Sequence, residues 1–191
     1  MFDVYLPPEA LAVMDGPPTF AGFSKQRSLV HTDGDWHRSV HIWLVNNKGE
    51  LVLQRRSATK DTFPDMWDVS VGGHFTSGDT SIETAMKETE EELGLTCDES
   101  QFIFVCTVAT SASGSTALHG EFRCNEYKDM YLFRYNGPIE DLKFSPTEVS
   151  DVKWVPSDVL EDKLLAQDPE YIPRPKHYID ALFEALRREI S

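Results

Sequence analysis

The alternation of apolar and polar positions along the chain predicts a mixed set of strands and helices. Ser39–Val45 is a β-branched and aromatic run, Asn46-Asn47-Lys48-Gly49 is a turn, and Glu50–Gln54 returns as a second strand. Trp67–Val71 reads as a short strand ending at Gly72-Gly73, and Gln101–Thr110, Lys128–Tyr135 and Val149–Val155 read as further strands. Between the last two strands but one, Ser111–Asn125 reads as a polar loop. Two segments repeat at helical spacing: residues 81–93, with Ile82, Ala85, Met86, Thr89 and Leu93 on one stripe, and Lys176–Arg188, with Tyr178, Ala181, Leu182, Ala185 and Leu186. Turn formers crowd residues 1–36, where Leu11–Met14 and Ser28–His31 are expected to pair as a hairpin. The pattern predicts one α+β domain over residues 1–191: an N-terminal extension or hairpin at 1–36, a core at 37–172 and a C-terminal helix at 173–191.

Residues 81–93 break the rules of their own helix. The start is well marked, with Thr80 and Glu83 spaced as a capping box and Gly94 as the stop. Glu88, Glu91 and Glu92 then form a second stripe bordering the core stripe, while Glu83, Lys87 and Glu90 take the outer face. Like charges four residues apart repel, as Glu88 and Glu92 must, and anions in a last turn oppose the helix dipole. An ordinary solvated acidic face is the plain reading of such a run. The density of violations points instead to a site. Three carboxylates beside a glycine-rich loop suit a hard, oxygen-seeking cation, Mg²⁺ or Mn²⁺.

Charge narrows the partners. Eighteen Lys and Arg against 32 Asp and Glu give a formal net charge of −14. That argues against a nucleic acid polymer or an anionic membrane as partner. It leaves open a small-molecule diphosphate, which divalent cations would bridge to the protein. No run of 18 apolar residues predicts a membrane span, and MFDVYLPPEA does not read as a secretory signal. Cys97, Cys106 and Cys124 read as reduced thiols of a cytoplasmic protein, and a monomer or homodimer is expected.

The segment from Gly73 to Leu95, GHFTSGDTSIETAMKETEEELGL, resembles the Nudix box, Gx5Ex7REUxEExGU, where U is a bulky aliphatic. Gly73, Glu88, Glu91, Glu92, Gly94 and Leu95 match in register, while Asp79, Lys87 and Thr89 depart from the pattern. Lys87 keeps the charge of the box arginine and loses its bidentate fork. A wider set of residues resembles the branch of this family that includes isopentenyl-diphosphate isomerase: His37-Arg38, Gln54-Arg55-Arg56, Lys60, the FPDMWD run at 63–68, Gly72-Gly73-His74 and Asn125-Glu126. The resemblance implies an α/β/α sandwich with a mixed central sheet and a loop–helix–loop box.

It also implies roles. Glu88, Glu91, Glu92 and the Gly73 carbonyl would hold Mg²⁺ or Mn²⁺. Glu91 or Glu92 would act as general base, with Glu126 as the next candidate. Arg55, Arg56 and Lys60 would meet the outer phosphate, with His37 and His74 as further metal or substrate contacts. The isomerases carry a cysteine where this chain has Gly72, and none of the three cysteines is near it in sequence. The expected activity is therefore a metal-dependent pyrophosphohydrolase cleaving a nucleotide-type or related diphosphate. An isomerase-like protein and a catalytically weak binding protein of the same fold are the alternatives.

Overall fold

The computed structural model describes residues 1–116 and 120–190. In chain order its elements are β1 (Phe2–Tyr5), β2 (Phe20–Lys25), α1 (Arg27–Asp33), β3 (Trp36–Val45), β4 (Glu50–Arg56), β5 (Trp67–Asp68) and β6 (Val71–His74). Then follow α2 (Ser81–Leu93), β7 (Phe102–Thr116), β8 (Gly120–Arg134), β9 (Val149–Pro156), α3 (Ser157–Leu165) and α4 (Lys176–Ile190).

Strand β3 is the hub, and its nearly unbroken burial follows from having neighbours on both edges and helices on both faces. On one edge β8 runs parallel to it, from Trp36↔Asn125 to Val45↔Arg134. On the other, β6 runs antiparallel, from Ser39↔His74 to Ile42↔Val71. β7 extends the sheet beyond β8, and β4, joined at Val45↔Leu51, carries β5 and β9.

Alternation along β3 then sorts side chains between two cores. Val40, Ile42 and Leu44 pack with Tyr131, Phe133, Val71 and Phe75 against Ala85 and Leu93 of α2. Trp43 and Val45 pack with Met130 and Leu132 against Leu160 of α3 and Tyr178, Leu182, Phe183 and Leu186 of α4. This is the expected α/β/α arrangement around a mixed sheet. Trp43 and Trp67 are core residues.

Four expectations are corrected. Ser28–His31 lies in helix α1, whose Val30 packs on Phe2 and Val4, so the N-terminal hairpin is β1 with β2. Leu11–Met14 instead meets β7 through a single Val13↔Val108 bridge. The polar stretch Ser111–Asn125 is largely strand, paired from Ser111↔Asn125 to Thr116↔Gly120, with residues 117–119 outside the described residues. Ladder hydrogen bonds hold it, and with exposed side chains it carries no apolar alternation to betray it. Trp67–Val71 is two strands, because buried Ser70 breaks the ladder: its Oγ donates to the Val52 carbonyl at 2.6 Å and accepts from Leu44 N–H at 2.9 Å. Helix α3 was also not anticipated.

Candidate active site

Helix α2 is capped as its sequence demands. Thr80 Oγ1 accepts from Glu83 N–H at 3.4 Å, Glu83 Oε2 accepts from Thr80 N–H at 2.9 Å, and Gly94 closes the helix at φ 64°. Buried Ala85, Thr89 and Leu93 press the helix onto the sheet. Thr89, where the motif has an aliphatic, satisfies its hydroxyl by donating to the Ala85 carbonyl at 2.8 Å.

That docking turns Glu88 and Glu92 toward β6. A Cβ at Gly73 would fall 2.0 Å from Glu88 Cδ, so the glycine is the space the carboxyl occupies. Glu92 accepts a hydrogen bond from the Gly72 backbone. Burial pushes the Glu92 carboxyl up to about 8, and Glu88 adds to the shift. Glu88 is raised as well, by burial and then by Glu91. Glu91 itself is exposed. Among the described residues none of the three makes an ion pair with Lys or Arg. Lys87 points outward and holds none of them, so the arginine fork of the motif has no substitute here. Converging carboxylates, a cradle that admits them and no direct ion pair among the described residues fit a divalent cation.

A second cluster faces the same cleft from β3, β6 and β8. The ring nitrogens of His31, His37 and His74 lie within 4.8 Å of one another, as do ligand atoms of His37, Cys124 and Glu126. Glu126 Oε1 is 3.2 Å from His74 Nε2 and 3.9 Å from His37 Nε2, while Oε2 is ion-paired with Lys128. His74 Nε2 is buried and outside hydrogen-bond geometry with any described partner. Phe2 stacks on both His37 and His74, at ring separations of 5.6 and 5.2 Å, and fixes their planes. Burial lowers His37 to about 4 and His31 to a lesser degree. Burial alone would raise Glu126, but Lys128 and then His74 hold it well below the usual carboxylate range. Neutral imidazoles and an ionised carboxylate are the states that ligate metal.

The three expected phosphate cations each have a partner within the chain. Arg55 Nε donates to the Asp65 carbonyl at 3.0 Å. Arg56 gives Nε and Nη2 to Thr62, at 3.0 and 3.2 Å, and Nη1 lies 3.5 Å from Asp68. Lys60 is paired with Glu148. The fold instead brings to the cleft residues that sequence reading passed over. Cys124 joins His37 and Glu126, and burial pushes its thiol up strongly. Lys128 was hidden in an apolar strand, although its spacing of two from Glu126 places both on one face. Asp68, within the FPDMWD run, is ion-paired with Arg174 and lies 3.5 Å from Arg56 Nη1.

The Nudix domain model matches residues 35–175. Nudix hydrolase 3 of Arabidopsis thaliana is 41% identical over 159 residues, which are 80% of this chain and 20% of that protein. The chain thus spans a fifth of the length of that relative. Isopentenyl-diphosphate Delta-isomerase of Serratia proteamaculans is 25% identical over 162 residues, 85% of this chain and 84% of the isomerase. Among solved structures, DR0079 from Deinococcus radiodurans matches at a TM-score of 0.52 and 29% identity, over 79% of this chain and 81% of that one.

Proposed function

Because the chain belongs to the Nudix hydrolase family, we propose that it is a divalent-cation-dependent pyrophosphohydrolase acting on a nucleotide-type or related diphosphate. The observation that supports this best is the unpaired triad Glu88, Glu91 and Glu92 folded against Gly72 and Gly73. Glu88 and Glu92, turned to the β6 edge, would hold Mg²⁺ or Mn²⁺, together with the Gly73 carbonyl. When bound, the cations neutralise phosphate charge and acidify a water. Glu91, the open member of the triad, accepts the proton of that water. Glu126 is a poor base in this arrangement, since Lys128 occupies one oxygen and His74 faces the other. Helices α2 and α4 pack on opposite faces of one sheet, which supports a single working domain.

The histidine cluster favours one competing reading, an isomerase-like activity, but Gly72 supplies no thiol for it. A panel of nucleoside di- and triphosphates, nucleotide sugars, dinucleotides and isopentenyl diphosphate, each with Mg²⁺ and with Mn²⁺, tests both. The expected result is cation-dependent phosphate or pyrophosphate-bond cleavage, with ¹⁸O-water locating the bond broken, and its loss in Glu92→Gln. Turnover in Glu92→Gln equal to wild type would refute the metal-site assignment. Proton exchange on isopentenyl diphosphate without any hydrolysis would replace this reading with the other.

A further inference from the structure

Glu126 and Lys128 stand two residues apart on β8, so both side chains leave the sheet on one face. In the parallel pair, Glu126 lies opposite His37 and Lys128 opposite Ser39. On the other edge of β3, Ser39 lies opposite His74. Two neighbouring rows of polar residues therefore cross the sheet, His37 with Glu126 and His74 with Ser39 and Lys128. His37, Ser39, Glu126 and Lys128 are all buried. A lysine is seldom buried unless it is paired. Lys128 is ion-paired with Glu126 Oε2 and makes no other ion pair or hydrogen bond among the described residues.

The donors around this pair suit a metal ion, but their charge balance does not. Ligand atoms of His31, His37 and His74 lie within 4.8 Å of one another, and so do those of His37, Cys124 and Glu126. His74 Nε2 and Ser39 Oγ are buried without a hydrogen-bond partner among the described residues. Phe2 stacks on His37 and His74 and holds both rings. Imidazole and thiol, however, are neutral donors, which leaves Glu126 as the one carboxylate of the two triads. The Lys128 ammonium already balances it. A divalent ion here would bring two charges into a buried site with none left to offset them, and would face an ammonium on its own carboxylate. Glu88, Glu91 and Glu92 are the opposite case, with no Lys or Arg ion pair among the described residues. The histidine cluster departs in this from the metal contacts that the family resemblance implies for His37 and His74.

We propose that Lys128 is the resident cation of the histidine cluster: its ammonium stands in for a divalent ion at Glu126, and His37, His74, Cys124 and Glu126 take up no divalent ion while it is there. Without the ammonium, the same side chains make a site for Zn²⁺ or Co²⁺, which nitrogen and sulfur donors favour over Mg²⁺. The assignment stands on these residues and not on the pyrophosphohydrolase reading.

The test uses the full chain, with Zn²⁺ followed by calorimetry and Co²⁺ by absorption. Wild type and Cys124→Ser should bind Zn²⁺ alike, and Co²⁺ should give wild type no thiolate-to-cobalt charge-transfer band. Lys128→Met, of similar length and without charge, should bind Zn²⁺ about tenfold more tightly or better. It should also show the cobalt band, and Lys128→Met with Cys124→Ser should lose it. Lys128→Gln is the second variant and should behave as Lys128→Met does. A cobalt band in wild type overturns the assignment with no variant needed. Zn²⁺ affinity equal to wild type in the lysine variants also overturns it, since Glu126 and Lys128 would then be only a buried ion pair. The cobalt band of Lys128→Met should survive Glu92→Gln. Its loss there would move the new ion to the glutamate triad and overturn the assignment while leaving the hydrolase reading intact.

Discussion

Glu92 is a carboxyl group folded into a place where burial outweighs the nearby Lys60 charge, and its protonation is tied to the stability of the whole chain. Burial and Glu88 raise it from 4.5 to about 8. Between those values the unfolded chain has released the proton and the folded chain keeps it. Stability is therefore full at low pH and falls as pH rises toward about 8. Buried His37 works the other way, lowered from 6.5 to about 4, so its contribution is complete above 6.5 and is lost as pH falls. The interval from 6.5 to about 8 thus separates the raised glutamates, Glu92 with its neighbour Glu88, from His37. The metal-free protein should melt at progressively lower temperature across it. Glu92→Gln should flatten the slope and melt above wild type at the alkaline end, and added Mg²⁺ should stabilise wild type more there than near neutrality. A flat wild-type profile in differential scanning calorimetry would mean that Glu92 is ionised in the folded state.

At the level of the element, α2 serves packing and chemistry with one set of thirteen residues. Its capping box, glycine stop and core stripe hold it against β6, and that grip lets the helix tolerate like charges in its last turn. Thr89 is the weak point of the stripe. Its hydroxyl is fully buried and bonded only to the Ala85 carbonyl, which the helix already satisfies through Thr89 N–H. Thr89→Val should stabilise the fold by about 1 kcal/mol, because it deletes a buried hydroxyl and keeps the shape. Urea denaturation measures this, and a destabilised variant would show that the back-bond shapes the helix. The stripe itself was legible in the sequence, since Ile82, Ala85, Met86, Thr89 and Leu93 are all buried or half-buried. Thr84, fully buried beside them, was not, because a threonine near an N-terminus reads equally well as a capping or surface residue.

Across the whole molecule, one buried carboxylate ties the helix to the sheet. Asp129 on β8 is fully buried and accepts from Arg38 on β3, from Thr107 Oγ1 on β7 at 2.7 Å and from Ser81 Oγ at the start of α2 at 2.5 Å. Tyr131 adds a bond to Ser81 Oγ at 2.7 Å. Asp129→Ala would leave the Arg38 guanidinium stranded over the Phe75 ring, 4.3 Å away. It should cost about 3 kcal/mol or more. It should also reduce turnover, because the anchored end of α2 sets where Glu88 and Glu92 fall. Chemical denaturation and a hydrolysis assay on the same sample check both, and a variant as stable as wild type would mean that the polar cluster only fills space.

The sequence by itself determined what depends on neighbours along the chain. Helical spacing put three glutamates on one stripe, and the caps fixed where that helix begins and ends. Tertiary structure decided what depends on residues far apart. It brought β3 and β8 into parallel register, which sets His37 opposite Glu126. It placed Cys124 in that cluster. It gave Arg55, Arg56 and Lys60 partners in Asp65, Thr62, Asp68 and Glu148, and it paired Arg174 with Asp68. The physical reason is the range of the forces involved. Backbone geometry and local repulsion act within a few residues and leave a periodic trace. Which cation meets which carboxylate depends on distances that exist only after the sheet has formed.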